Sequence, residues 1–355
     1  MILPRTPLGG DHRDAGIPEK ALVLTAGLGT RLRPLTDVRA KAAVPVNGET
    51  LARRACRWLV EHGVHDLVLN LHHLPATITG SVGDGSDLGA RVRYSWENPV
   101  LGSAGGPRHA LPLLVDGQPR TASREPRIAN RQPPAASRQT FVIVNGDTLT
   151  DVDLAAMAAS HAESGAAVTM ALIANPRPAK YGGVQVAGGR WITGFTRAGI
   201  GGASYHFIGV QIAEARVFAD LEDGAPAETV NALYPRLIAR DAQSVGAFIS
   251  NASFHDIGTP SDYLDTSVEL AGLEGDRLAS GKGICIDDSA TVRRSAVWDD
   301  VRIGAGAEII ECIVCDGVTI PAGARYRRCA IVPAGRRSPQ ADERIDGSLL
   351  IREIE

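Results

Sequence analysis

Two cations stand ten residues apart in the segment ALVLTAGLGTRLRPLTDVRAKAAVP, residues 21–45: Arg31, directly after Gly27-Leu28-Gly29-Thr30, and Lys41. Glycines let a backbone turn tightly and bring bare amides against a ligand, and such amides suit phosphate oxygens. An arginine grips two phosphate oxygens in a fork, while a lysine supplies a point charge. The spacing reads as an anion cradle. It lacks the third glycine of a dinucleotide fingerprint and the Gly-Lys-Ser/Thr ending of an ATPase phosphate loop. An ordinary strand-to-helix connection with solvated arginines would have the same composition.

The elements that must position these residues follow from hydrophobic periodicity. Ala21 to Leu24 is an apolar run of the buried-strand type. Leu51, Ala55, Trp58 and Leu59 repeat at helical spacing over Leu51–His62, and Gly63 is a stop. Strands are expected over 66–71 and 92–96, and this alternation argues for a parallel α/β sheet. His72 and His73 follow a strand with no carboxylate or cysteine at ligand spacing, so they read as loop residues. The loop ENPVLGSAGG, residues 97–106, has Gly102, Gly105 and Gly106 for close backbone approach, with Ser103 suited to capping a helix. The strand Phe141–Val144 delivers Asn145-Gly146-Asp147 at its C-terminal end, where open parallel sheets place ligands. A helix over 154–165 and a strand over 167–173 follow. Taken alone, Asn-Gly-Asp is most often a turn.

In order, these pieces resemble the sugar-1-phosphate nucleotidyltransferases. The signature is carried by Gly27, Gly29, Thr30, Arg31, Pro34, Thr36 and Lys41, with Ala40 where that family usually has proline. LGSAGG, NGD, the Tyr181-Gly182-Gly183 stretch, the His206–Val210 strand with its interior Gly209, and Phe254-His255-Asp256-Ile257-Gly258-Thr259-Pro260 extend the likeness over about residues 20–335. The resemblance implies a Rossmann-like α/β fold with a mixed, mostly parallel sheet flanked by helices. It implies transfer of a nucleotidyl group from a nucleoside triphosphate to a sugar 1-phosphate, releasing pyrophosphate. On it, Asp147 and Asp256 are metal ligands for Mg²⁺, Arg31 and Lys41 stabilise the triphosphate, and Arg197 orients the sugar phosphate. Ala26, Gly27, Gly29, Thr30, Gly102 and Ser103 are nucleotide-binding; Gly146, Gly182 and Gly209 are sugar-binding. Phe195-Thr196-Arg197 departs from the family's Phe, any, Glu-Lys-Pro: the cation is kept and the acid is lost. The loop, LGSAGG and the C-terminal repeats lean toward a mannose-1-phosphate guanylyltransferase. A uridylyl- or thymidylyltransferase on another hexose 1-phosphate, and a non-catalytic regulatory homologue, stay open.

A net charge of -3 makes no electrostatic case for nucleic acid or an anionic membrane. No apolar run approaches a bilayer span, and five cysteines without a secretory segment point to a reducing cytoplasm. The 355 residues suggest a loose tail over 1–19, a catalytic domain over 20–280 with a disordered insertion at 115–139, a repeat domain over 281–335 and a tail over 336–355. From Ala290 small or apolar residues recur about every six positions, at Ala296, Val301, Ala307, Cys312, Val318, Ala324 and Ala330. A second apolar residue follows two positions after each, among them Trp298, Ile303, Val314 and Val332. This pattern is that of a short left-handed β-helix, which must pack on the catalytic domain or on another subunit of a homo-oligomer. An acyltransferase on that helix is a weak alternative, since no histidine lies within it. Cys312 and Cys315 form a CxxC, but no second pair completes a zinc site.

Overall fold

The computed structural model describes residues 16–115, 139–200, 202–275, 278–335 and 338–355. Most of the 1–19 tail and nearly all of the 115–139 insertion lie outside the described residues. β1 (Lys20–Leu24) buries Ala21, Leu22 and Val23 completely, because parallel neighbours flank it on both sides. No helix follows it. Gly29 is left-handed (φ 61) and Pro34 has no amide to donate, so the chain makes three short 3-10 turns over Thr30–Leu32, Leu35–Asp37 and Lys41–Ala43. A hairpin of β2 (Pro45–Val46) and β3 (Glu49–Thr50) leads into α1 (Leu51–Glu61).

Thereafter strand and helix alternate: β4 (Asp66–Leu71), α2 (Pro75–Val82), β5 (Arg91–Trp96), α3 (Gly102–Leu114), β6 (Thr140–Asn145), β7 (Thr148–Thr150), α4 (Leu154–Ser164) and β8 (Val168–Ala174). Then come β9 (Gly183–Ala187), β10 (Trp191–Thr196), β11 (Tyr205–Glu214), α5 (Arg216–Ala219), α6 (Tyr234–Arg240), β12 (Val245–Ile249), β13 (Phe254–Asp256) and α7 (Pro260–Glu274). The main sheet runs β5-β4-β1-β6-β11-β8-β12-β10-β9. The expected mostly parallel sheet is parallel from β5 to β6 and again between β8 and β12. β11 runs against both β6 and β8, and β9 and β10 form an antiparallel hairpin. That hairpin turns at Gly188 and Gly189, both at positive φ. One apolar layer packs α1, α2 and α4 on one face of the sheet; the other packs α3 and α6 on the opposite face.

The C-terminal strands stack in parallel on three faces. Cys285 pairs with Arg302 and Arg302 with Thr319, so each turn of the coil takes 17 residues. Val301, Ala307, Cys312 and Val318 are buried inside it, as their spacing predicts. On the third face the expected register holds in the middle turn, at Cys312 and Val314, and is off by one in the first and last: Val297 and Ile331 point inward, whereas Ala296, Trp298, Ala330 and Val332 point outward into a core shared with Leu32, Leu35, Tyr263 and Leu264. The six-residue repeat is an average; a 17-residue turn leaves one side a residue short, and small residues on both surfaces of that side blur the pattern. The solenoid therefore packs on the α/β domain of its own chain. Cys312 faces the coil interior and Cys315 the shared core, which separates the two sides of the CxxC. The expected 336–355 tail is instead a hairpin, Glu343–Asp346 and Leu349–Glu353, extending the third face with Leu349, Leu350 and Ile351 buried.

Candidate active site

The C-terminal ends of β1, β4 and β6 open onto a cleft lined by Ala26 and Gly27 of the glycine loop, Lys41, Asn70, Glu97, Gly102, Ser103 and the Asn145-Gly146-Asp147 turn. A buried polar relay fixes its back wall. Asn70 Oδ1 accepts from the amides of Thr25 at 2.6 Å and Ala26 at 3.3 Å. Its Nδ2 donates to Glu97 Oε1 at 2.7 Å, and Glu97 Oε2 accepts from the Leu101 amide at 2.8 Å, at the N-terminus of α3. Buried polar groups must be satisfied, so this relay locks the glycine loop to the start of α3. Sequence reasoning missed both side chains. The available signal was a polar residue at the C-terminal end of the otherwise apolar β4.

Gly146 belongs to the same framework. A Cβ there would lie 2.8 Å from the Leu24 carbonyl and 2.8 Å from Thr25 Cγ2, and its amide donates to Leu24 O at 2.9 Å. At Gly209 the corresponding space is filled by Asn145 and Thr148, and at Gly182 by the Thr196 carbonyl at 3.0 Å. The protein's own packing thus requires glycine at Gly146 and Gly209 and leaves little room for a Cβ at Gly182.

Lys41 Nζ donates to Asp147 Oδ2 across the cleft. Asp256 arrives from a distant part of the chain: β13 pairs with β7 in the register Asp256 opposite Thr148, directly beside Asp147. Arg31 stands on the same side, since a Cβ on Gly258 would lie 3.4 Å from Arg31 Nη1 and 3.0 Å from Asp256 Oδ2. Among the described residues Arg31 and Asp256 make no ion pair. Among them, too, no three His, Cys, Asp or Glu side chains group as metal ligands. Asp256 on β13 and Asp147 just before its partner strand β7, with Arg31 and Lys41 close by, would suit a hard divalent ion that completes its shell with phosphate oxygens.

A second, aromatic wall adjoins Asp256. Tyr181, His206 and Phe254 pack with ring centroids 4.4 Å (Tyr181–His206), 4.8 Å (His206–Phe254) and 5.8 Å (Tyr181–Phe254) apart. Burial holds the His206 imidazole below its ordinary value, so it is neutral at pH 7. Lys180 binds Asp262 Oδ1 at 2.6 Å; burial lowers its pKa, but the bond to Asp262 outweighs this and the net shift is upward. Arg197 follows β10, exposed, in a loop tied to the Lys180 segment by the bond from Gly199 N to Pro178 O, 2.8 Å. Arg31, Asp256 and Arg197 do not line the cleft itself, and neither do Gly29, Thr30, Gly182 and Gly209.

Ser103 does not cap α3. Its hydroxyl donates to Glu228 Oε2 at 2.6 Å and accepts from the Thr229 amide at 2.9 Å, while Ala227 O takes the α3 amide of Ala104. Glu228 is thereby part of the wall at Gly102. The two loop histidines bond carbonyls: His72 with Glu97 O at 2.9 Å, His73 with Thr36 O at 2.8 Å.

Residues 20–272 match the family model described as Nucleotidyl transferase. The chain belongs to the nucleotidyl transferase family. Among curated relatives, the mannose-1-phosphate guanylyltransferase of Mycobacterium tuberculosis is 25% identical over 319 residues, covering 87% of this chain and 83% of that protein. The N-acetylmuramate alpha-1-phosphate uridylyltransferase of Neisseria meningitidis is 39% identical over 140 residues, 39% of this chain and 50% of its own length. The structure of HddC from Yersinia pseudotuberculosis superposes with a TM-score of 0.57 at 19% identity, covering 71% of this chain and 99% of that one. In this nucleotidyltransferase the matched region holds the whole cleft and both aspartates, and no described helix is long and apolar enough to cross a membrane.

Proposed function

We propose that this nucleotidyltransferase moves a nucleotidyl group from a nucleoside triphosphate to a sugar 1-phosphate, releasing pyrophosphate, with guanylyl transfer to mannose 1-phosphate as the first candidate pair. The pairing of β7 with β13, which sets Asp256 beside Asp147 and its Lys41 partner, carries this reading. Transfer at phosphorus needs positioning and charge neutralisation more than a covalent nucleophile.

The amides of Ala26, Gly27, Gly29 and Thr30 would cradle the triphosphate, and the α3 N-terminus at Gly102 and Ser103 would face the base. Asp147 and Asp256 would hold Mg²⁺, which supplies charge neutralisation between the two phosphate groups when bound. Arg31 and Lys41 offset the charge that builds on the departing pyrophosphate. Lys180 and Arg197, on adjoining loops, draw in the sugar phosphate, whose ionised oxygen attacks the α-phosphorus in line. No general base is required. The aromatic wall and the backbone near Gly182 and Gly209 receive the sugar ring.

On this reading residues 20–280 form the catalytic domain and the solenoid is a left-handed β-helix. The described cysteines are all free thiols, which supports a cytoplasmic setting. The 39% identity to an N-acetylmuramate alpha-1-phosphate uridylyltransferase favours uridylyl transfer as the second reading. Pyrophosphate release with Mg²⁺ over a grid of GTP, UTP, dTTP, ATP and CTP against common sugar 1-phosphates tests both. Release confined to one GTP or UTP pair is the expected result. Silence across the grid, from a folded protein that still binds a nucleotide, would overturn catalysis and leave a sensing subunit.

A further inference from the structure

Nothing in the secondary structure of the catalytic loop holds Arg31 and Lys41 in place, since only 3-10 turns occur between them and beyond. Part of the restraint comes from the same domain, where His73 bonds the Thr36 carbonyl and the Ala40 amide donates to Thr77 Oγ1 at 3.1 Å; the rest comes from the C-terminal half. Leu32 and Leu35 are fully buried in one core with Trp298, Ile313 and Val332 of the solenoid. Arg39 lies between the two cations in sequence and reaches the solenoid directly. Its Nε and Nη2 fork onto Asp316 at 2.6 and 2.7 Å, and Nη2 also reaches Asp299 Oδ2 at 2.6 Å. The guanidinium carbon sits 5.4 Å from the Trp298 ring centroid. Both acceptors are fixed in turn: Asp316 Oδ1 accepts from the Asp299 amide at 3.0 Å, and Asp299 Oδ1 from the Lys282 amide at 2.7 Å.

Two further bonds grip the loop on either side. Arg352 of the C-terminal hairpin donates to Arg33 O at 2.7 Å. Trp298 Nε1 donates to the Tyr263 hydroxyl at 2.8 Å, which donates to Pro45 O at 2.6 Å. The loop is thus held at Arg33, Arg39 and Pro45, bracketing Lys41 and adjoining Arg31.

We propose that Arg39 is a positioning residue through which the solenoid sets the placement of Arg31 and Lys41 for transfer. It touches no reacting atom. The inference rests on the transfer reading above and assigns the solenoid a part in the active site. A planar fork holding two carboxylates over an aromatic face cannot be reproduced by a lysine, and small misplacements of catalytic groups cost rate rather than affinity.

The test uses the full chain with Arg39→Ala, Arg39→Lys, Asp299→Asn and Asp316→Asn. Two readouts are taken: kcat and KM on the substrate pair the wild type accepts, and amide hydrogen exchange of peptides spanning 29–45 without substrate. Arg39→Ala is expected to lower kcat about 10- to 100-fold while both KM values stay within about threefold, with Arg39→Lys recovering only part. Exchange across 29–45 rises in every variant. Unchanged loop exchange and unchanged kcat in a folded variant would overturn the proposal, as would a fall in melting temperature without either change. If Arg39→Ala does not fold, the two near-isosteric aspartate variants decide the same question. If the wild type accepts no pair, the transfer reading fails, while loop exchange still decides whether the clamp positions the loop.

Discussion

Lys41 Nζ lies 2.5 Å from Oδ2 of Asp147, although the two residues are 106 positions apart in the chain. The ion pair joins a partly buried ammonium to a carboxylate on the lining of the cleft. Asp147→Ala removes one of the two proposed metal ligands and is expected to cut kcat about 1,000-fold, close to about 4 kcal/mol of transition-state stabilisation. The fold should survive, because the side chain is partly exposed and the Lys41 ammonium left without it lines an open cleft that water can enter. Pyrophosphate release beside a far-ultraviolet dichroism spectrum reads both; near-normal turnover would remove Asp147 from the metal site.

On the proposed reading, Lys180 shares with Arg197 a role that the family resemblance implied for Arg197 alone. Lys180 is anchored on Asp262 at the start of α7, the element that closely follows Asp256, whereas Arg197 is exposed. An anchored cation loses less entropy on gripping a phosphate. Lys180→Ala should raise KM for the sugar 1-phosphate about tenfold, the worth of about 1.4 kcal/mol, with Arg197→Ala giving a smaller rise. Steady-state kinetics with the sugar phosphate varied decides it. A larger effect at Arg197 would make the exposed residue the principal phosphate cation.

Glu274 offers a stability measurement apart from catalysis. Its carboxylate accepts from buried Arg54 at 3.1 and 2.9 Å and from Asn47 at 3.1 Å, joining α7 to α1 and the β2–β3 hairpin. Burial raises the carboxyl's pKa, but the bonds from Arg54 and Asn47 outweigh it and hold it below 4.5. Between that lowered value and 4.5 the unfolded chain binds more protons, so the contribution is present above 4.5 and is lost as pH falls through the folded value. Glu274→Gln leaves Arg54 without its main carboxylate and should cost about 2 kcal/mol at neutral pH, discounted for partial exposure. Urea midpoints from about pH 7 to about pH 3.5 should show the gap between wild type and variant closing on acidification. A gap that stays constant over that range would refute the linkage.

Much of the molecule was legible in advance for a simple reason. Strands such as β1 and β6 are continuous apolar runs that only a buried position explains, and α1 shows its face by helical spacing. The glycine loop, NGD and HDIGTP could be located because each is contiguous. The polar relay of Asn70 and Glu97 could not, since 27 residues separate partners whose importance comes only from burial together. The first and last turns of the third solenoid face depart from their expected register by one position because both surfaces of that face are apolar, one facing the coil and one the α/β domain.

By itself the sequence determined the strand–helix alternation, the identity of the charged residues and the turns that present them. These depend on local conformational preference and on periodicity along a single element. Only the tertiary structure decided that Asp256 stands beside Asp147, that Lys180 rather than Arg197 is the anchored cation, and that the solenoid grips the loop through Arg39. Each of those is a pairing across a long stretch of chain, set by strand register and by which apolar surfaces meet, and none is written at any one position.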